Sequence, residues 1–308
     1  MPVYATMDVG SNSVKLRVEE LGNDGAWRLR DDRQDITRLG EELNSRGIIG
    51  EAAAARTLAV IGDFAERARR LGAGEIAAVG TMCLRRAANA AGFVRQVQQE
   101  CGLQLEIISG EEEARLAHLG VITGLGTRPG RLAIFDIGGG STEFVFGEGA
   151  AIHERFSLDV GAIRLTDDYC RSDPVTPEER DRLLAAVDRE LGRLSGLDSP
   201  DVLVGIGGTV TNLSAIQQSL PAYDTGRVEG STLTRDQVAA LLELLRGKTL
   251  AERRRVVGLE PKRADVILAG TALALRIMDH LRCPVLTVSD RGLRHGLMRD
   301  RFPGPRTG

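Results

Sequence analysis

The chain has 308 residues, 27% of them charged and 42% hydrophobic, with 37 glycines and 10 prolines. At ~150 residues per domain this length favours two domains, and a chain this long buries ~75% of its unfolded surface without a disulfide or metal staple. The hydrophobic fraction excludes a disordered chain and the lack of a Gly-X-Y period excludes collagen. Forty basic residues against forty-three acidic ones give a formal charge of −3, which argues against a dedicated nucleic-acid binder. It leaves room for a local basic cleft facing a polyanion.

Met1 to Tyr4 runs directly into a strand-like segment carrying Asp8, so no signal peptide is read there. The longest apolar stretch, Ala264 to Met278, is broken by Asp265 and Arg276 and is too short to span a bilayer. Cys83, Cys101, Cys170 and Cys283 match neither a zinc spacing nor a secreted framework. A cytoplasmic protein with reduced thiols, no DNA partner and no membrane contact is the expectation.

Self-comparison dominates the chain-order reading. Asp8 to Leu16 (DVGSNSVKL) aligns without a gap on Asp136 to Phe144 (DIGGGSTEF), an offset of 128 residues. Each copy reads as apolar strand, tight polar turn and apolar strand, a β-hairpin. Two copies at a domain-sized spacing predict two related α/β domains, each opening with this hairpin. Between them, Glu51 to Leu71 places Leu58, Ile61, Phe64, Ala65 and Ala68 at helical spacing. Glu75 to Val79 reads as a strand, Asn89 to Glu100 as a helix and Leu105 to Ile108 as a strand. Ser109 and Glu112 form a capping box that opens a helix through about Val121. The glycine-rich run Thr123 to Gly130 is a linker candidate.

After the second hairpin, Gly161 to Cys170 and Pro177 to Leu194 read as helices, the latter with Thr176 as N-cap. Val202 to Ile206 is a strand entering Gly207-Gly208-Thr209 and a helix to about Gln218. Thr234 to Leu245 and Arg263 to Leu281 are helices, Val285 to Val288 a strand, and Gly292 to Arg301 a last helix. Low-complexity sequence is confined to the tail Pro303 to Gly308. Strands alternating with helices predict α/β layers.

Three segments place small residues where backbone must approach a ligand: Gly10-Ser11-Asn12-Ser13, Gly138-Gly139-Gly140-Ser141-Thr142 and Gly205 to Thr211. Glycine admits positive φ and close approach. Consecutive amides in such turns, and the helix N-terminus after Gly208, bind anions. An ordinary tight turn explains any one of them; it explains less well the duplication with an aspartate at each entrance. Asp8 and Asp136 end apolar strands, and Glu143 begins the return strand of the second hairpin. Carboxylates beside phosphate-binding amides suit Mg²⁺, which takes few protein ligands and completes its shell with water and phosphate. The first hairpin has Lys15 where the second has Glu143, so the metal site leans toward the second domain. Lys15 itself reads first as a solvated strand residue.

Glu111, Glu112 and Glu113 lie in a first helical turn, where acids complement the macrodipole; spacing alone gives Glu113 no chemistry. Arg85 and Arg86 follow a strand and turn, where a loop commonly faces a cleft. Arg253 to Arg255 reads as a solvated helix face, and the four histidines form no metal-ligand pair. No Gly-x-x-x-x-Gly-Lys-Ser/Thr run is present, which speaks against a P-loop NTPase.

These segments together resemble the exopolyphosphatase/guanosine pentaphosphatase (Ppx/GppA) family of the actin-like ATPase superfamily. The resemblance is carried by DVGSNSV from Asp8, LRRAAN from Leu84, ISGEEEAR from Ile108, DIGGGSTE from Asp136, GIGGT from Gly205 and GLRHG from Gly292. It implies two actin-like (ribonuclease H-like) domains flanking a cleft, 1–122 and 123–291, with the C-terminal helix 292–302 able to pack back on the first. It further implies divalent-cation-dependent removal of terminal phosphate from inorganic polyphosphate, with Glu113 as general base. Asp8, Asp136 and Glu143 are then the metal positions, Mg²⁺ being the expected ion. Arg85, Ser11, Asn12, Ser13, Gly138, Gly139, Gly140, Ser141, Thr142, Gly207, Gly208 and Thr209 are the substrate positions. The alternatives are guanosine pentaphosphate (pppGpp) hydrolysis and a non-catalytic polyphosphate or alarmone sensor; a homodimer is compatible with each. Longer family members carry a C-terminal helical domain, and the short two-domain form gives a long polymer less surface to lie on.

Overall fold

The first thirty-six residues fold as an antiparallel meander of β1 (Val3–Val9), β2 (Ser13–Leu21) and β3 (Trp27–Ile36) in a computed structural model that describes residues 1–302, the side chain of Asn44 apart. Alternation sets the register: Ala5, Met7 and Val9 on β1 and Val14, Leu16 and Val18 on β2 are fully buried. The highly charged β3 was not legible as a strand. It lies at the sheet edge, where charges discourage pairing with another chain.

The chain continues through α1 (Glu51–Arg70), β4 (Ala73–Gly80), α2 (Met82–Arg86), α3 (Ala90–Gln96), β5 (Leu105–Ile107) and α4 (Gly110–Leu125). The apolar stripe of α1, Leu58, Ile61, Phe64, Ala65 and Ala68, is buried against the sheet as its spacing predicts. Two expectations need correction. Arg85 and Arg86 lie in a short helix rather than a loop, and α4 runs on through Thr123, Gly124 and Leu125 instead of ending near Val121.

The second hairpin repeats the first. β6 (Arg131–Ile137), β7 (Thr142–Glu148) and β8 (Ala151–Leu158) form another antiparallel meander, with Phe135, Phe144 and Phe156 buried and the last two rings 5.2 Å apart. Then come α5 (Ala162–Tyr169), α6 (Pro177–Glu190), β9 (Val202–Ile206), α7 (Gly207–Gln217), β10 (Thr232–Thr234), α8 (Arg235–Arg246), α9 (Ile267–His280), β11 (Val285–Val288) and α10 (Leu293–Arg301). Thr176 caps α6 in a reciprocal capping box with Glu179. Arg253 is not on a solvated face: it is 4% exposed and donates to the Ala264 carbonyl at 3.2 Å. The tail Pro303 to Gly308 lies outside the described residues.

Among the described residues the sheet orders are β3-β2-β1-β4-β5 and β10-β11-β9-β6-β7-β8. Read from its meander edge, the second is β8-β7-β6-β9-β11, the same order as the first with β10 added. Both are three antiparallel strands followed by two parallel ones, the actin-like (ribonuclease H-like) α/β arrangement. The chain divides into two compact units, Met1–Thr123 joined by the segment from Gly292 onward, and Gly124–Arg291. In the first, α10 is clamped to the meander. Thr6 Oγ1 donates to the Arg294 carbonyl, Arg299 pairs with Glu19 and lies over the Trp27 ring, and Asp300 accepts from Arg115 at 2.7 Å. No described helix is long and apolar enough to cross a membrane.

Candidate functional site

In the first unit the turn between β1 and β2 is closed by Gly10 N donating to the Ser13 carbonyl at 3.0 Å. The carbonyls of Ser11 and Asn12 are occupied from outside: Gly40 N donates to Ser11 O, and Thr37 N and Arg38 N to Asn12 O. Because N–H and C=O point oppositely across a trans peptide, this strap turns the following amides, of Asn12 and Ser13, the other way. Arg38 meets the Asn12 carbonyl with φ 53, an uncommon conformation for a residue with a Cβ. Ser11 and Ser13 are buried at the turn and Asn12 is half-buried.

Asp8 and Lys15 are directly opposed across this hairpin and form an ion pair at 3.3 Å. Lys15 is therefore a partner for Asp8 rather than a simple solvated residue. Glu113 stands in the first turn of α4, its backbone N–H held by the Ser109 carbonyl at 2.9 Å. The same serine's Oγ accepts from Glu112 N, the expected cap. Arg85 Nη1 donates to Glu113 Oε2 at 2.8 Å and to the Ile108 carbonyl at 3.0 Å. Arg85, expected among the substrate positions, also holds the Glu113 carboxylate. Glu113 is 9% exposed, so that position is defined by packing as well as by charge.

The second unit repeats the turn, with Gly138 N on the Ser141 carbonyl at 2.9 Å. Its strap is the N-terminus of α5: Ala162 N donates to Gly138 O, and Ile163 N to Gly139 O at 2.8 Å. A Cβ at Gly161 would lie 2.5 Å from Gly140 N and 2.6 Å from the Gly139 carbonyl, so only glycine lets α5 approach this closely. With those carbonyls capped, the Gly139 and Gly140 amides point away from α5. Asp136 and Glu143 oppose one another across the hairpin, in the register of Asp8 and Lys15. Glu143 is 3% exposed and accepts from Ser157 Oγ at 2.8 Å on the neighbouring strand.

The third loop passes from β9 into α7 at Gly207, whose φ is 85. The Asp136 carboxylate packs against its Cα, so a side chain there would collide with Asp136 Oδ1. Gly208 is covered likewise by the guanidinium of Arg263. Sequence reading missed Arg263. It is 8% exposed, and burial pushes its guanidinium pKa down against the opposing pull of Glu260 and Asp136. A signal was present in principle, an arginine just ahead of the apolar helix α9, but only the fold brings it over Gly208.

Two expected contacts have their side chains committed elsewhere. Thr142 is fully buried and its hydroxyl donates to the Val160 carbonyl at 2.6 Å. Thr209 is 4% exposed with its side chain against Gly270 of α9.

Among the described residues no group of three or more His, Cys, Asp and Glu side chains is arranged to hold a metal. Asp8 carries its own cation, Lys15. The donor set that fits a hard divalent ion is the pair Asp136 and Glu143, since Mg²⁺ uses one or two carboxylates and fills its shell with water and phosphate. All four cysteines are free thiols. Burial pushes Cys83 up to about 12 and Cys170 to about 11, which makes both poor nucleophiles.

Residues 25–303 match the Ppx/GppA phosphatase family. The chain is 32% identical over 313 residues to exopolyphosphatase 2 of Mycobacterium tuberculosis, covering 95% of this chain and 96% of that one. It superposes on the Ppx/GppA family member of Aquifex aeolicus with a TM-score of 0.84 and 34% identity, covering 97% of both chains. An exopolyphosphatase from Cytophaga hutchinsonii shares the fold with a TM-score of 0.90 at 24% identity, over 97% of both chains. The duplicated hairpin, the shared sheet order and a match across nine-tenths of the length have one reading: the chain belongs to the Ppx/GppA phosphatase family.

Proposed function

We propose that this protein is an exopolyphosphatase that releases phosphate from the end of inorganic polyphosphate. The observation that carries the reading is the opposed pair Asp136 and Glu143 beside the Gly138 to Ser141 turn, in a chain of this family. In the second unit a turn with its carbonyls capped directs amides toward an anion, and the N-terminus of α7 adds more. Those donors hold terminal phosphoryl oxygens without adding charge of their own. Mg²⁺ is the expected ion on Asp136 and Glu143; when bound, it supplies charge neutralisation for the phosphoryl oxygens.

Glu113 accepts a proton from the attacking water, and Arg85 fixes the carboxylate that does so. As the new P–O bond forms, the terminal anhydride P–O bond breaks. Phosphate leaves, and the shortened chain keeps the bridging oxygen as a terminal oxyanion. Arg263, buried over Gly208, places its guanidinium at the third loop. Positioning and electrostatics of this kind do most of the work in phosphoryl transfer.

The test is phosphate release from polyphosphates of graded length, titrated with Mg²⁺ and Mn²⁺. Metal-dependent release is expected. No release from any chain length at any metal concentration would sink the reading and leave the sensor alternative.

A further inference from the structure

Glu113 stands in the first turn of α4, and helix ends fray. A reacting group displaced by ~1 Å can lose ~10²-fold in rate, so what holds this turn matters to the chemistry. Much of the hold comes from the last turn of α10. Asp300 Oδ1 accepts from Arg115 Nη2 at 2.7 Å, and Arg115 in turn donates to both Glu112 oxygens, at 2.7 and 2.9 Å. The next residue, Arg301, donates from Nη2 to Glu106 Oε2 on β5, also at 2.7 Å. Two consecutive residues of α10 thus grip Glu106 and Arg115, the two flanks of the segment that carries Ile108, Ser109 and Glu113. Arg85 enters the same segment between those grips, on the Ile108 carbonyl and the Glu113 carboxylate.

The helix that provides these grips is itself firmly seated. A Cβ at Gly296 would collide with the Leu116 carbonyl of α4, so only glycine lets the two helices approach this closely. Leu293 and Leu297 of α10 pack with Ile108 and Leu116 in one buried cluster. Toward the hairpin, Thr6 Oγ1 donates to the Arg294 carbonyl and Arg294 pairs with Asp32 at 3.0 Å. The Asp300–Arg115 pair is different in kind. Its side chains are 24% and 32% exposed, so solvent screens the pair and it contributes little to stability. What it supplies is direction. Glu112 and Arg115 are three residues apart on one face of α4, and Glu113 lies ~100° round the helix from Glu112. A turn held at Glu112 and Arg115 cannot roll, and Glu113 keeps its aim.

We propose that Asp300 is a positioning residue for the water-activating glutamate: through Arg115 it fixes the rotation of the first turn of α4, and with it the direction of the Glu113 carboxylate. The inference rests on the hydrolase reading above, with Glu113 as its base, and adds the C-terminal helix to what holds that base.

The experiment measures phosphate release by the full chain from one length of polyphosphate at saturating Mg²⁺. Asp300→Ala should lower kcat about tenfold, with KM within about twofold and the thermal midpoint within about 4 °C of wild type. Asp300→Asn keeps an acceptor oxygen for Arg115 and should stay within about threefold of the wild-type kcat. Arg115→Gln removes the same tie from its other end and should match Asp300→Ala, which gives a second route to the answer if the alanine variant folds poorly. The deciding readout is a double-mutant cycle: once Glu113→Gln has removed the base, adding Asp300→Ala should change kcat by less than about twofold. A merely structural role would repeat the tenfold loss in that background, and that result would overturn the inference. So would a kcat for Asp300→Ala and Arg115→Gln within about twofold of wild type, or a loss carried by KM alone. A fully active Glu113→Gln would remove the base and this inference with it while leaving the hydrolase intact; no release by the wild type would remove the hydrolase reading itself.

Discussion

The two hairpins have the same turn, the same register and the same sheet position, yet opposite charge logic. In the first, Asp8 faces Lys15 and the pair is neutral. In the second, Asp136 faces Glu143, two acids on directly opposed positions. Like charges placed so are destabilising across strands, and Glu143 is almost fully buried. The cation proposed above for this turn would offset that cost, alongside the Arg263 guanidinium that acts on Asp136. The first unit's other site carboxylate, Glu113, is again paired with a cation, Arg85. The first unit therefore opposes its hairpin aspartate with a lysine, and the second opposes its own with a glutamate at a phosphate-type loop.

The largest expected effect tests the neutral-pair side of that contrast. Glu113→Gln keeps the shape and the contact with Arg85 but removes the proton acceptor. We expect kcat for phosphate release to fall ~10²–10⁴-fold, with the thermal midpoint little changed. Near wild-type turnover in a folded variant would reduce Glu113 to a structural partner of Arg85.

Next comes the exchange of one hairpin's logic for the other's. Glu143→Lys gives the second hairpin the pairing of the first, an arrangement the fold already tolerates at Asp8 and Lys15. Turnover should drop ~10²–10³-fold, the scale on which one electrostatic stabiliser is lost. Residual activity should no longer respond to added divalent cation. A variant whose metal response survives would move the ion elsewhere.

How much of this was legible beforehand follows physical lines. The hairpins, their acids and the helices α1, α4 and α6 were readable because each depends on a local period or a cap within four residues. The strand β3 was not, because an edge strand needs no apolar face. Thr142 and Thr209 looked like loop donors, since nothing local says that Val160 or Gly270 would meet their side chains. Arg263 was missed for the same reason in reverse: its contact with Gly208 spans fifty-five positions of sequence. Arg85 was singled out from its place after a strand and turn, but its partner Glu113 lies twenty-eight residues on, and only folding shows the pair.

A smaller effect is expected one step from the acid pair. Ser157 Oγ donates to Glu143 Oε1 and orients it. Ser157→Ala should raise the Mg²⁺ concentration for half-maximal rate ~10–100-fold, with kcat at saturating metal nearly restored. The counterpart on the first hairpin, Gln34 opposite Lys15, has no acid to orient; Gln34→Ala should leave the metal response unchanged. If both variants behave alike, the contrast between the hairpins is not about metal.

The smallest effect asks whether charge pairing alone, away from any phosphate loop, does no more than stabilise. Asp188 of α6 accepts from Arg276 at 2.6 and 2.7 Å and lies 3.1 Å from His280 Nε2, a neutralised carboxylate inside the second unit. Burial alone would raise its pKa, but the hydrogen bonds from Arg276 and His280 outweigh burial and hold it below the ordinary 3.8. A carboxylate with a depressed folded pKa contributes stability that is complete above its unfolded pKa and disappears as pH falls through the folded one. Asp188→Asn should therefore lower the thermal midpoint by ~2–4 °C at pH 7, because Asp188 is partly exposed and solvent screens the pair. The gap should shrink steadily below pH ~4 as the wild-type carboxylate takes up its proton. Phosphate release at neutral pH should be unaffected at temperatures where both proteins are folded. A midpoint gap that stays constant into acid would mean that shape, not charge, is what Asp188 supplies.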